Sequence, residues 1–170
     1  MADQAESASR GTGGLTRVRE IMTSPVITVT ASTPTGQIAQ TLHRHRVSGV
    51  PVVDGTGGVV GLVSEYDLLA RTGQAASDVM TTAVVSVTED TAVDDVRHLL
   101  VDRRIRRVPV IAGGRLVGIV SRRDVVALMA TEWVCEVCGE SVRGERPPQM
   151  CPKCHGGPER FVLQEQPPGT

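Results

Sequence analysis

Along this chain the apolar residues fall into short β-branched runs, separated by polar stretches with helical spacing. Residues 26–29 (Val-Ile-Thr-Val), 50–53 (Val-Pro-Val-Val) and 59–63 (Val-Val-Gly-Leu-Val) read as strands, because branched side chains suit a pleated surface and turn residues bound each run. The proline of the second run belongs at a strand start or edge. Between the first two runs, Ile38 and Leu42 lie on one helical face. Thr33-Pro34 supplies the expected start of that helix, threonine as N-cap and proline as first helical residue. Residues 54–58 form a glycine-rich turn, and a second helix follows Ser64. The predicted order is strand, helix, strand, strand, helix.

The pattern then occurs again. Met22-Thr23 returns as Met80-Thr81, VITVT (26–30) as VVSVT (84–88), Pro51 as Pro109, and GLVSEYD (61–67) as GIVSRRD (118–124). The offset slips by one because the turn at 112–114 is shorter than its counterpart. In the second copy, Thr91-x-x-Asp94 reads as a capping-box start, Val93, Val96 and Leu100 form an apolar stripe, and residues 108–111 and 116–120 form a hairpin. A duplication fixes architecture before propensity is consulted. Each copy would be marginal alone, so the two are expected to share a core. The fold class is therefore α/β: two βαββα repeats packed as an intramolecular pair, followed by a small four-cysteine metal ribbon. The divisions are a disordered leader (1–16), repeat 1 (17–74), repeat 2 (75–131), the ribbon (132–163) and a tail (164–170).

Composition narrows the function classes. The 170 residues carry a formal charge of −1, which argues against bulk attraction to nucleic acid or an anionic membrane. No apolar run approaches the ~18 residues of a membrane span. The leader lacks the basic start and apolar stretch of a signal peptide, so a cytoplasmic protein is expected. Catalysis finds no support: no Ser-His-Asp ordering or paired carboxylates can be picked out.

Two constellations carry chemistry. The first is Ser-x-x-Asp at a strand-to-helix junction, present as Ser64/Asp67 and Ser121/Asp124. A helix N-terminus offers unpaired N–H groups and partial positive charge, which suits phosphate. Serine can cap the helix or donate to a phosphate oxygen, and aspartate can accept from both hydroxyls of a ribose. The same residues would also serve as plain helix caps. Arg103 and Arg104 read as a solvated helix end. His43, His45 and His98 read as helix-face residues.

The second constellation is Cys135-x-x-Cys138 with Cys151-x-x-Cys154, which uses every cysteine of the chain. Each pair grips one ion from a tight turn, and two such knuckles complete a tetrahedron. Four thiolates fit zinc or iron. With few apolar residues, the ribbon is expected to need its metal to fold, with Trp133 and Phe161 as a miniature core.

The repeated motifs, including VSGVPVVD and RRVPVIAGG, resemble a pair of CBS domains, the Bateman module, over roughly residues 17–130. That resemblance implies a sandwich of the two copies with clefts between them, an adenine nucleotide (AMP, ADP or ATP type) as regulatory ligand, and a homodimer. One implied cleft combines Val47, Ser48, Gly49 and Pro51 with Ser121, Arg122 and Asp124. The other combines Arg106, Arg107 and Pro109 with Ser64 and Asp67, and the resemblance implies that its two arginines hold phosphate. Thr28 and Ser86 stand where the family contacts base or sugar. In repeat 1, Glu65-Tyr66 replaces the Arg122-Arg123 of repeat 2. Residues 132–162 resemble the rubredoxin-like domain of rubrerythrins and zinc ribbons, through Trp133, Cys138-Gly139, Gly144, Pro147, Cys151-Pro152 and Phe161. Glu140 replaces the aromatic usual in rubredoxins, which favours zinc over iron. The reading is a ligand-sensing regulator whose ribbon docks an as yet undefined protein partner. The alternatives are an iron-ribbon redox carrier and a nucleic-acid adaptor; for the latter the interleaved aromatics are missing.

Overall fold

A computed structural model describes residues 16–144 and 146–164, so the leader and tail expectations lie, but for Thr16 and Gln164, outside the described residues. Repeat 1 contains α1 (Val18–Ile21), α2 (Thr35–His45), the strands β1 (Gly49–Val53) and β2 (Val59–Ser64), and α3 (Glu65–Ala70). Repeat 2 contains α4 (Ala76–Val79), α5 (Val93–Asp102), β3 (Arg107–Ala112), β4 (Arg115–Ser121) and α6 (Arg122–Ala130). The ribbon is a three-stranded sheet in the order β6 (Ser141–Arg143), β5 (Glu132–Cys135), β7 (Phe161–Gln164). Both hairpins are antiparallel, pairing Val50 with Val63 and Val108 with Val120, and both slip register just after the pair made by Gly61 with Val52 or Gly118 with Val110.

The first predicted strand of each repeat shrinks to a single bridge. Val29 pairs with Val52 and Val87 with Val110, both parallel. Val29 donates to the Pro51 carbonyl and accepts from Val53 N–H, and Val87 does the same with Pro109 and Ile111. The residues just before them leave the sheet edge.

The helix starts also differ from expectation, in the same way in both copies. Thr33 and Thr91 do not cap; their hydroxyls accept from the N–H groups of Thr30 and Thr88 and close a turn. The helices begin after Pro34 and Ala92. Asp94 pairs with Arg97 instead of completing a capping box.

The repeats are interlocked through their leading segments. Val18 and Ile21 of α1 lie in the core built by Val96, Leu100, Val108, Val110 and Val120 of repeat 2. Ala76 and Val79 of α4 lie in the core of Ile38, Leu42, Val50, Val52 and Val63 of repeat 1. Thr23 then bridges Ile119, and Thr81 bridges Leu62, so each leading segment adds one antiparallel bridge to its sibling's hairpin. Two glycines allow the approach. The Met80 thioether packs where a Cβ on Gly61 would lie, and Met22 does so at Gly118. Gly118→Val should therefore cost about 1–2 kcal/mol by overpacking Met22, read as a lower melting temperature of the repeat pair. An unchanged melt would contradict this packing.

Candidate functional site: an inter-repeat cleft and a four-thiol centre

The same turn chemistry builds both Ser-x-x-Asp junctions. Ser64 and Ser121 are N-caps of α3 and α6, and their hydroxyls accept from the N–H groups of Asp67 and Asp124. In return each aspartate accepts from the serine N–H and hydroxyl, at 2.8 and 2.7 Å for Asp67 and 2.6 and 2.7 Å for Asp124. These reciprocal bonds close capping boxes that fix the helix starts.

Beyond that shared geometry the two aspartates part company. Asp67 is 5% exposed; its second oxygen accepts from Thr81 at 3.2 Å and lies 3.8 Å from Arg71. Asp124 is half-buried, and Leu128 occupies the place of Arg71 in its copy. Asp124 lines a cleft of about 1170 Å³ between the repeats, and Asp67 and Ser64 are not among its lining residues.

The cleft joins the turn after α2 with the start of α6. Val47, Ser48 and Gly49 line it from repeat 1, and Arg106, Arg107, Ser121, Arg122 and Asp124 from repeat 2. Residues assigned by resemblance to two clefts thus meet in one cavity. Pro51 and Pro109 are fully buried behind it in the hairpins. Thr28 lines a separate cavity of about 520 Å³ with Met22, Val53 and Leu116. Ser86 is exposed and lines neither.

Residues missed from sequence also line the cleft: Thr23, His43, Arg44, His45, Arg46, Glu65 and Arg123. The available signal was a run of four basic side chains at the end of α2, directly before Val47-Ser48-Gly49. Arg46 caps that helix with φ 52°, ψ 41°, a left-handed conformation usually given to glycine.

The electrostatics are one-sided. Six arginines face one glutamate and one aspartate in a chain whose net charge is −1. Arg107 is central. Its guanidinium donates to the Ser48 hydroxyl across the repeat boundary and fills the space where a Gly49 side chain would stand. Burial, then the neighbouring Arg106 charge, push its pKa below the usual guanidinium range, and Glu65 opposes this. Arg122 turns away to donate to the carbonyls of Ile105 and Leu100, closing the C-terminal end of α5.

The ribbon's cysteines converge as their spacing demands. The four sulfur atoms lie within 4.8 Å of one another; Cys135 and Cys154 are 3.6 Å apart, as are Cys138 and Cys151. A tetrahedron with metal–sulfur bonds of about 2.3 Å has edges of about 3.8 Å, so the thiols fit such an ion. The two knuckles share one backbone plan. Gly139 and His155 donate to the carbonyls of Cys135 and Cys151, and Cys135 and Cys151 donate to those of Glu140 and Gly156. N–H groups of Cys154 first, and of Lys153, help draw the Cys151 thiol down to about 7 against its burial. The Glu140 N–H works to lower Cys138, but burial and the three neighbouring thiols outweigh it and push that thiol up to about 12. Cys135, Cys151 and Phe161 are the ribbon's buried residues, with Trp133 packed on them.

The knuckles differ at one position. Gly139 takes φ 72° at no cost, while His155 is held at φ 60°. Replacing His155 with glycine should stabilise the metal-loaded ribbon by about 1 kcal/mol, measured by denaturant melts of Trp133 fluorescence. A loss of stability would mean that the His155 ring makes a contact worth more than the backbone strain.

Comparison with known proteins places these features. The CBS domain family matches at residues 18–72 and again at 76–131. The rubrerythrin rubredoxin-like domain matches residues 133–162. The protein YlbB of Bacillus subtilis (strain 168) is 34% identical over 119 residues, covering 65% of this chain and 80% of YlbB. The inosine-5'-monophosphate dehydrogenase of Methanocaldococcus jannaschii is 31% identical over 110 residues, which is 63% of this chain but 22% of that enzyme. Among solved structures, the CBS domain pair of protein MJ0100 in complex with 5'-methylthioadenosine and S-adenosyl-L-methionine has TM-score 0.65 and 31% identity, covering 68% of this chain and 96% of that one. CBSX2 in complex with AMP has TM-score 0.62 and 34% identity, covering 65% and 93%; CBSX2 is a protein of Arabidopsis thaliana.

Proposed function

The chain belongs to the CBS-domain family, and from that premise we propose that it is a non-catalytic, ligand-sensing regulator whose inter-repeat cleft takes an adenine nucleotide and whose ribbon holds zinc. The observation that carries this is the cleft: Ser48 and Gly49 from one repeat face Ser121, Arg107 and Asp124 from the other, ringed by arginines. Asp124 offers an acceptor for a ribose diol. The capped start of α6 and Arg107 offer donors for phosphate. Two structural relatives support the ligand class, one solved with AMP and one with S-adenosyl-L-methionine and its thioether relative.

For the ribbon, a coordinatively closed four-cysteine site suits a structural or docking role, with iron-based electron transfer as the second reading. Among the described residues no helix is long and apolar enough to cross a membrane; the site of action proposed is the cytoplasm. The assembly proposed is a homodimer through α3 and α6, where Leu69 (89% exposed) and its counterpart Val126 stand out with Tyr66 and Met129. Light scattering at twice the monomer mass is the expected result.

A thermal-shift panel tests the functional reading. AMP, ADP or ATP should raise the melting temperature of the repeat pair, since a ligand that binds only the native state stabilises it by mass action. A folded protein whose melt none of these moves contradicts the assignment.

A further inference from the structure

We propose that α6 is a rigid connecting rod that reports occupancy of the cleft to the metal ribbon, an inference that rests on the ligand-binding reading above. Ser121, the N-cap of this nine-residue helix, lies in the cleft, together with Asp124 in its first turn. At 1.5 Å per residue the helix spans about 14 Å. Its last residue is Ala130, and β5 begins at Glu132, so Thr131 alone joins helix to ribbon.

That joint is tied on both sides. The Thr131 hydroxyl donates to the Ala127 carbonyl at 3.1 Å, holding it to the last turn of α6. Its carbonyl accepts from Gly144 N–H at 3.2 Å, holding it to the end of β6 that lies beside the start of β5. Gly144 in turn accepts from the Trp133 indole at 2.8 Å. Four residues beyond Thr131, β5 ends at Cys135, one corner of the four-thiol centre. A flexible linker would let the ribbon tumble independently; this joint makes ribbon orientation follow the helix.

The first repeat shows what α6 does beyond capping. Its counterpart α3 has six residues and leads through residues 71–75 into α4 of the second repeat. It stops at Arg71, whose side chain donates back to the carbonyls of Val79 and Met80. α6 runs three residues longer, just under one turn, and ends on the ribbon in place of that fastening. A ligand that tightens the α6 start must therefore shift or rigidify the joint, and by reciprocity the metal-loaded ribbon must alter ligand affinity.

The molecule carries its own probe, because Trp133 is the sole tryptophan and sits at the joint. The experiment titrates AMP, ADP, ATP and S-adenosylmethionine into the full-length, metal-loaded chain, following heat by calorimetry and Trp133 emission and anisotropy in parallel. Hydrogen exchange at Gly144 N–H is the second readout. The expected result is a Trp133 change that saturates with the heat, slower exchange at Gly144, and loss of both responses when two glycines are inserted after Thr131 with affinity for the nucleotide still measurable. Thr131→Val, which removes only the hydroxyl tie to α6, should reduce the response without unfolding either part. Heat without any change at Trp133 or Gly144 overturns the rod while leaving the cleft assignment intact, as does an undiminished response in the glycine-insertion variant. No heat from any of the four ligands overturns the cleft assignment and the rod with it.

Discussion

Stripping the metal from the full chain with a chelator is expected to unfold residues 132–164 and to leave the melting transition of the repeats in place. The reason lies in how little else holds the ribbon. Among the described residues its buried ones are two of the four cysteines and Phe161, with Trp133 half-buried on them. Three short strands and one aromatic cluster cannot by themselves offset the conformational entropy of ordering a segment of this length. A structural metal bound to four thiolates can supply the folding energy of so small a unit outright. Cys138→Ser should reproduce the effect, since it removes one corner of the tetrahedron. The checks are a red shift of Trp133 emission and a calorimetric scan in which the repeat transition survives. Unshifted Trp133 emission in the metal-free chain would contradict the dependence.

The second large effect concerns Arg107. Arg107→Ala is expected to weaken phosphate-bearing ligands by roughly 10- to 100-fold, in line with about 1.5–3 kcal/mol for a hydrogen bond to a charged group. Stability should change little or improve, because the substitution removes a desolvated cation that lies beside Arg106. Gly49→Ala approaches the same point from the other repeat. A Cβ there meets the Arg107 guanidinium and stands 2.9 Å from the Val63 carbonyl, so the arginine must move and the hairpin must strain. Both variants should spare binding energy that comes from the base, so adenosine affinity is expected to change far less than ATP affinity. Equal losses for adenosine and ATP would place Arg107 outside the phosphate site.

How far the sequence could be read depended on whether the deciding contact was local. The hairpins followed from Asp54 and the glycines of the turn, whose carboxylate accepts from the Thr56 and Gly58 N–H groups. The capping boxes followed from Ser-x-x-Asp, and the metal centre from cysteine spacing alone. The crossing of α1 and α4 was hidden for a physical reason. Four-residue helices carry almost no periodicity, and the Met-Thr signature is the same in both copies, so it fits either hairpin. Nor did the motif reveal that Asp67 turns inward while Asp124 meets the cleft; that depends on Arg71 and Thr81, which come from outside Ser-x-x-Asp. The cleft's basic rim was visible as the run at residues 43–46, but its helical setting made it look like ordinary surface.

The most direct test is a crystal structure of the full chain grown with saturating ATP. The account predicts density between Ser48–Gly49 and the start of α6, with the ribose on Asp124 and phosphate oxygens on Arg107. Nucleotide density bound elsewhere on the surface, with that crevice left empty, would contradict it.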